Sequence, residues 1–535
     1  MKVTQAHTLL LIFFATLGAA LALDLTGLET VPIQEGGRKK PFLVFADEAL
    51  TGITGKTSVE KDGTSLDSVT AVTSIWLAPV GWEKQPVILL TDKMLREKTG
   101  LDPLRKRYSY DELASNETLR SMLEEANRSR GKNPKAKLDP LLKSASDVGM
   151  KLATFEALAT GRSVTLLPTG AAAWTPLADG DPALVKMREG VQSGNQKTFN
   201  EGLQLLRAEQ AAENARFQAD PQKISVETFY QKMHPFRWAW ILYLAAGITL
   251  LVSAGKPLGY ALAWIFALGG FGLQIAGFTC RVLVSGRAPV TNMYESVVWV
   301  AFGTILFALI FEAIHRCRYF LLGAVPVAVV SLILADTQPV ILDRSIHPLV
   351  PVLADNFWLT THVLTITLSY AAFALALGVA HIALLKIIFG VKPSKALYNY
   401  LYRALQVGVL LLAIGTILGG VWANYSWGRF WDWDPKETWA LIALLGYLFL
   451  LHGRIAGKWG DFGLAVGAVL AFQSIIMAWY GVNFVLGVGL HSYGFGSGGF
   501  PVALGFVLAE FGVVVLAVLR KNQRSSTQVS ASQSE

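Results

Sequence analysis

Residues 422–439 read Trp422-Ala-Asn-Tyr-Ser-Trp427-Gly-Arg-Phe-Trp431-Asp-Trp433-Asp434-Pro-Lys-Glu-Thr-Trp439. Five tryptophans in eighteen residues exceed what headgroup anchoring explains, which is one or two rings per helix end. With Asp432, Asp434, Lys436 and Glu437 among them, the rings make a broad apolar surface beside charges, which suits a flat amphipathic ligand. Two histidines flank the segment: His362, closing Asn356-Phe-Trp-Leu-Thr-Thr-His362, and His491, within Gly481-Val-Asn-Phe-Val-Leu-Gly-Val-Gly-Leu-His-Ser-Tyr-Gly-Phe495. Imidazole nitrogens are iron ligands, so the pair would hold a six-coordinate haem over the tryptophans. Either histidine alone is equally an interfacial imidazole bonded to water. Arg429 and Lys436 could meet the propionates, and each is equally a partner for the neighbouring acids.

The elements that must carry these groups are membrane helices. Of 535 residues, 52% are hydrophobic and 16% charged, and the mean hydropathy is +0.41. Residues 1–235 hold 29 Lys/Arg and 28 Asp/Glu, residues 236–535 only 18 and 11. A soluble half is therefore followed by a membrane half. Apolar runs predict nine spans, at about 236–254, 258–280, 294–314, 319–335, 359–388, 403–422, 437–454, 461–481 and 500–519. With the N-terminal half exported, twelve Lys/Arg between Lys256 and Arg524 fall in inner loops, against five outside, namely Arg281, Arg287, Arg344, Arg429 and Lys436. That bias matches the positive-inside rule and puts 356–362, 422–439 and 481–495 on one outer face. The pI of 9.2 follows from the inner loops, so nucleic-acid binding is not needed to explain it. Cys280 and Cys317 are too few for a disulfide framework.

Lys2, the apolar run Leu9 to Ala19 and Ala20-Leu21-Ala22 read as an export signal over 1–23, cleaved or kept as an anchor. Residues 24–234 read as an exported, helix-rich α+β domain. Asp139-Pro140 marks a helix start, and Thr198 to Phe217 repeats Leu and Ala at helical spacing. Pro41 to Phe45 and Pro86 to Leu90 are strand candidates, and Arg128 to Lys137 a solvated loop. The fold class expected is a polytopic α-helical membrane protein with this exported domain, a membrane domain over 236–520 and a cytoplasmic tail over 521–535.

The run Trp427-Gly-Arg-Phe-Trp431-Asp-Trp433-Asp434-Pro-Lys-Glu-Thr-Trp439 resembles the "WWD" signature of haem-handling proteins, specifically the CcsA/ResC type of cytochrome c biogenesis protein of system II. Ser285-Gly-Arg-Ala-Pro-Val-Thr-Asn-Met-Tyr-Glu-Ser296, His362-Val ahead of Ser369-Tyr370, Leu451-His-Gly-Arg454 and Gly489-Leu-His-Ser-Tyr-Gly-Phe495 agree with that type, over roughly 236–520. Val31-Pro-Ile-Gln-Glu-Gly-Gly-Arg-Lys-Lys-Pro41 is similar to a segment of longer, fused members.

The resemblance implies noncovalent haem b in transit, bound outside the membrane by Trp427, Trp431, Trp433 and Asp434 with His362 and His491 as axial ligands. It implies a second, inner haem position at His452. Haem would then be presented for thioether attachment to the Cys-x-x-Cys-His of an apocytochrome c, with a CcsB/ResB-type membrane partner and thiol-reducing partners, in a bacterial inner membrane. Thioether formation by the chain and positioning of haem both stay open. No Cys-x-x-Cys-His occurs in the sequence, so the chain does not read as a covalent haem protein. It also holds no recognisable CcsB/ResB portion, and Asp432 stands where a small residue is expected. The exported domain has no histidine between His7 and His234 and no cysteine before Cys280, which leaves it an expected docking role for the apocytochrome or a partner.

Thirteen residues beyond Trp439, at about 1.5 Å each, His452 lies roughly 20 Å inward. It is either an interfacial imidazole beside Arg454 or, as the resemblance favours, a haem ligand whose second imidazole comes from a partner in preference to His381. Two other functions use similar parts. A b-type electron-transfer cytochrome pairs histidines deep in its spans, whereas these sit at outer ends. A secondary transporter needs buried charge or broken helices at mid-membrane. Glu312 and Glu510 read instead as interfacial, and Glu295 as an outer-loop partner of Arg281 and Arg287.

Overall fold

The computed structural model describes residues 23–132, 138–168, 173–214, 216–253, 255–339, 341–348, 356–487 and 499–532. The chain divides into two compact units, Met1–Met233 and His234–Glu535.

In the first unit, helices that include Phe42–Thr54, Ser68–Leu77, Glu117–Lys132, Pro140–Ala159, Pro182–Ser193 and Gln196–Ala212 pack with four antiparallel two-stranded hairpins. This is the helix-rich α+β arrangement expected. Asp139 caps its helix by accepting from the Leu141 amide, with proline at the first helical position. Gly36 and Gly37, both at positive φ, close the hairpin of Pro32–Glu35 with Arg38–Pro41, as a two-residue turn requires. Arg38 reaches Glu227 at 2.6 Å, and Lys40 is buried against Glu35 and Glu48.

Three local readings differ from the sequence expectation. Residues 42–45 open a helix, because Phe42, Phe45, Ala46, Leu50 and Ile53 are buried at helical spacing, and a five-residue apolar run cannot separate the two periods. Of 86–90 only Ile88–Leu89 forms a strand, paired with Arg107–Tyr108. The helix Glu117–Lys132 runs on through Arg128–Lys132, anchored by its buried Leu119, Met122 and Ala126; residues 133–137 lie outside the described residues.

In the second unit, nine helices among the described residues are long and apolar enough to cross a membrane. In order the spans are Pro235–Val252, Pro257–Ser285, Met293–His315, Tyr319–Thr337, Asn356–Ile388, Lys395–Trp427, Pro435–Ile455, Asp461–Leu486 and Phe500–Ser532. The protein is a polytopic helical membrane protein. Lipid gives helices no hydrophobic reason to associate, so small residues and polar contacts decide the packing. A Cβ on Gly378 would lie 2.1 Å from the Gly323 carbonyl oxygen, so the fourth and fifth spans meet backbone to backbone. Phe373 of the fifth span stacks on Tyr447 of the seventh at 3.7 Å. Arg281 and Glu295, both fully buried, pair at 2.6 Å between the second and third spans, the structural pairing expected for Glu295.

One of the two acids departs from the expectation. Glu312 does lie near a helix end, in the last turn of the third span, where it is fully buried against protein and accepts from the Tyr260 hydroxyl at 2.9 Å. Glu510 lies ten residues into the ninth span, is 7% exposed, and sits 3.0 Å from His381 Nε2, so it is interior and not interfacial. Distance from a helix end fixes depth but not face, and here the face decides.

Candidate functional site

The tryptophan segment is mostly helix. The sixth span continues to Trp427 and is closed by Gly428 in the left-handed conformation, and the seventh span starts at Pro435 behind an Asp434 cap. Only residues 428–434 are loop. Asp434 accepts from the Lys436 amide at 2.9 Å, while Glu437 Oε2 accepts from the amides of Asp434 and Asp432 at 3.2 and 2.9 Å. This is a capping box. Arg429 crosses the loop to Glu437 at 2.8 Å, lies 3.5 Å from Asp432, and covers the Trp427 ring. Arg429 thus ties the loop to the seventh span, while its Nη2 is buried without a hydrogen-bond partner among the described residues. Trp433 takes a left-handed backbone with φ 56°, a conformation that is strained for a bulky residue. Asp434→Ala is expected to cost about 1 kcal/mol of stability, read as a lower melting temperature in detergent; an unchanged value would remove the cap from this account.

Beside the loop lies a cavity between the third, fifth, sixth, seventh and eighth spans. Its walls include His362, Ile366, Trp422, Trp431, Trp479 and Phe484, and its polar groups include Arg287, Asn292, Lys436 and Asn483. His362 stands in the second turn of the fifth span, half-buried, its ring parallel to Trp422 within 9° at 6.2 Å. Nδ1 lies 2.8 Å from the Gly415 carbonyl oxygen. A carbonyl only accepts, so the neutral imidazole carries its proton on Nδ1 and its lone pair on Nε2. The ring lies against the sixth span because Gly419 has no side chain: a Cβ there would be 2.6 Å from His362 Cε1.

The other walls come from elements far apart in sequence. The loop 286–292 contributes Arg287, Thr291 and Asn292. It is braced by residues 341–348, whose carbonyls at Asp343, Arg344, Ser345 and His347 accept from Asn292, Arg281, Asn292 and Arg287. Burial works against the charge on Asp343, but the His347 imidazole and the hydrogen bonds from Ser345 hold its carboxyl down at about 2. The eighth span changes from α-helix to π-helix over Met477–Leu486, and this wider turn presents Trp479, Asn483 and Phe484 to the cavity. Such segments often mark functional sites. Trp479 Nε1 donates to Ser296 at 2.9 Å, and Lys436 Nζ donates to Asn483 Oδ1 at 3.2 Å.

Of the residues named in the tryptophan segment and its flanking histidines, the cavity brings together His362, Trp422, Trp431, Lys436 and Glu437. Trp427 stands edge-on behind Trp422 at 4.6 Å, Trp433 is 67% exposed and perpendicular to Trp431, and Asp434 is buried at the helix cap. His491 lies outside the described residues. His452, in the last turn of the seventh span, is exposed and bonds its Nδ1 to the Leu448 carbonyl at 2.8 Å, the same tautomer logic as His362.

The profile of the family described as Cytochrome C assembly protein matches residues 290–491. CcsA of Prochlorococcus marinus, a cytochrome c biogenesis protein, is 37% identical over 290 residues, 47% of this chain and 91% of that protein. The chain belongs to the CcsA-type family. CcsA of Guillardia theta is 35% identical over 243 residues, 40% of this chain and 79% of that protein. Protein NrfI of Wolinella succinogenes is 30% identical over 504 residues, 85% of this chain and 53% of NrfI. This CcsA-type chain thus spans about half the length of NrfI, and its role lies in cytochrome c biogenesis.

Sequence reasoning did not single out Trp422 as the ring beside His362, nor Trp479, Asn483 and Phe484. A signal existed for the sixth span, where Gly415-Thr-Ile-Leu-Gly419-Gly420 repeats small residues four apart, the pattern of a close approach in membranes.

Proposed function

We propose that this CcsA-type protein binds noncovalent haem b as cargo at the cavity beside the tryptophan loop and presents it for attachment to the Cys-x-x-Cys-His of an apocytochrome c. The observation that carries the reading is His362. Its Nδ1 is bonded to a carbonyl, its Nε2 carries the lone pair, and it stands in a wall shared with Trp422, Trp431 and Lys436. A histidine oriented through its other nitrogen is how iron-binding imidazoles are held. His491 is the proposed second axial ligand, and Trp427 and Trp433 extend the aromatic surface. The part of Asp434 is indirect: it holds the loop. Lys436 and Arg287, lining the cavity, are the cations proposed for the propionates, replacing Arg429. The loop and the exported domain lie on the outer face of a bacterial inner membrane in this reading, the domain docking the apocytochrome or a partner.

The reduced visible spectrum of the purified protein tests the proposal, with a low-spin haem band expected and a band-free protein overturning it. Gly419→Ala makes a sharper local test. The added methyl displaces the imidazole it would touch, and haem retention is expected to fall roughly tenfold, while Gly272→Ala, on an exposed face of the second span where a methyl meets nothing within 4 Å, leaves it near normal. Equal retention in both variants would detach His362 from haem.

For the inner position, His452 remains the proposed ligand. The two nitrogens of His381 are engaged with the Leu377 carbonyl and Glu510, which favours a CcsB/ResB-type partner as the source of the second imidazole; thiol-reducing partners would keep the acceptor cysteines reduced. His452→Ala is expected to lower haem at the outer site when the partner is coexpressed, with imidazole restoring it. Unchanged loading and cytochrome maturation would leave His452 interfacial. The mid-membrane charge of Glu510 is the feature expected of a secondary transporter, but its contact with His381 is met by neutralisation in place, and the family's role in cytochrome c biogenesis favours haem handling.

A further inference from the structure

His381 and Glu510 take no part in the cavity, yet they meet at 3.0 Å inside the membrane unit. The ninth span needs explaining first. Its buried side is a narrow stripe of Glu510, Val514 and Ala517, while Leu508, Phe511, Val515, Leu516 and Leu519 are exposed. In lipid such a helix gains little by turning one apolar face inward over another, so apolar packing alone leaves its rotation weakly set. A carboxyl group is different, because hydrocarbon offers it no partner. Turning the helix by one residue, about 100°, would carry Glu510 out of reach of the imidazole. The pair is neutral overall in both of its one-proton forms, imidazolium with carboxylate or imidazole with carboxylic acid, so contact removes the charge from the membrane interior. His381 is held by its own helix, with Nδ1 bonded to the Leu377 carbonyl at 2.8 Å, and Nε2 lies 3.0 Å from Glu510 Oε2, within ion-pair distance but not aligned as a hydrogen bond.

We infer that His381 and Glu510 are a positioning pair that fixes the rotation of the ninth span against the fifth.

The test uses the full chain with Cys280 and Cys317 replaced by serine and spin labels at Val391→Cys, just beyond the inner end of the fifth span, and Gln523→Cys, in the inner part of the ninth helix. The unaltered pair is expected to give one narrow distance distribution. Glu510→Leu and His381→Leu should each broaden it at least twofold, and the exchange His381→Glu with Glu510→His should narrow it again. Glu510→Gln, whose amide still bonds imidazole, should stay narrow and guards against simple misfolding. Unchanged width in the leucine variants, or a glutamine variant as broad as leucine, overturns the tether.

Discussion

Replacing His362 by glycine is expected to lower haem affinity by at least roughly 100-fold, since even the groups that orient a metal ligand contribute about 10- to 100-fold. Imidazole in the buffer should return most of the lost haem, because the glycine leaves a space of the right shape beside Trp422 and the Gly415 carbonyl that held Nδ1 is backbone and survives the change. The rescued species should be low-spin and six-coordinate. A variant with the parent spectrum and parent retention would mean that His362 is not an iron ligand. The same comparison on Trp431→Ala separates coordination from packing: occupancy should drop while the axial spectrum of the remaining haem stays as it was.

The second large effect concerns the ligand's carboxylates. Lys436 lines the cavity with its ammonium group on Asn483, and Arg287 lines it from the loop 286–292. A hydrogen bond to a charged group is worth about 1.5–3 kcal/mol, so Lys436→Met should weaken haem binding roughly 10- to 100-fold. The decisive comparison is with haem whose propionates are methyl esters. Unaltered protein should prefer the free acid, and Lys436→Met should bind acid and ester with nearly equal affinity. If the variant weakened both ligands alike, Lys436 would be supporting the cavity through Asn483 and not recognising carboxylates.

Much of the architecture was legible because length and apolarity suffice to mark a span, and all nine spans appear near their expected places. Their ends were less legible. The sixth span was expected to end at Trp422, which left Trp427 outside it, yet Gly428 can adopt the left-handed conformation that ends a helix, and it is there that the span stops. Faces were not legible at all. A helix apolar on every side has no moment to say which side meets a neighbour, so the sequence could not bring Trp479 beside Ser296 or Glu510 beside His381. The π-helical stretch Met477–Leu486 has no composition of its own, and without it Asn483 could not be assigned to Lys436. What the sequence did reveal about the site was chemistry that is rare in membranes, a histidine and a cluster of tryptophans, and rarity needs no geometry to be noticed.

The seven-residue loop 428–434 has one further consequence. It is pinned by Gly428 at one end and by the Asp434 and Glu437 capping box at the other, with Arg429 tying the two together. Almost no conformational freedom is left in it to lose when a ligand arrives, so the entropy of ordering is met during folding and not at each encounter. On the proposed haem reading, loading then requires no slow rearrangement, and after release the aromatic frame keeps its shape for the next molecule.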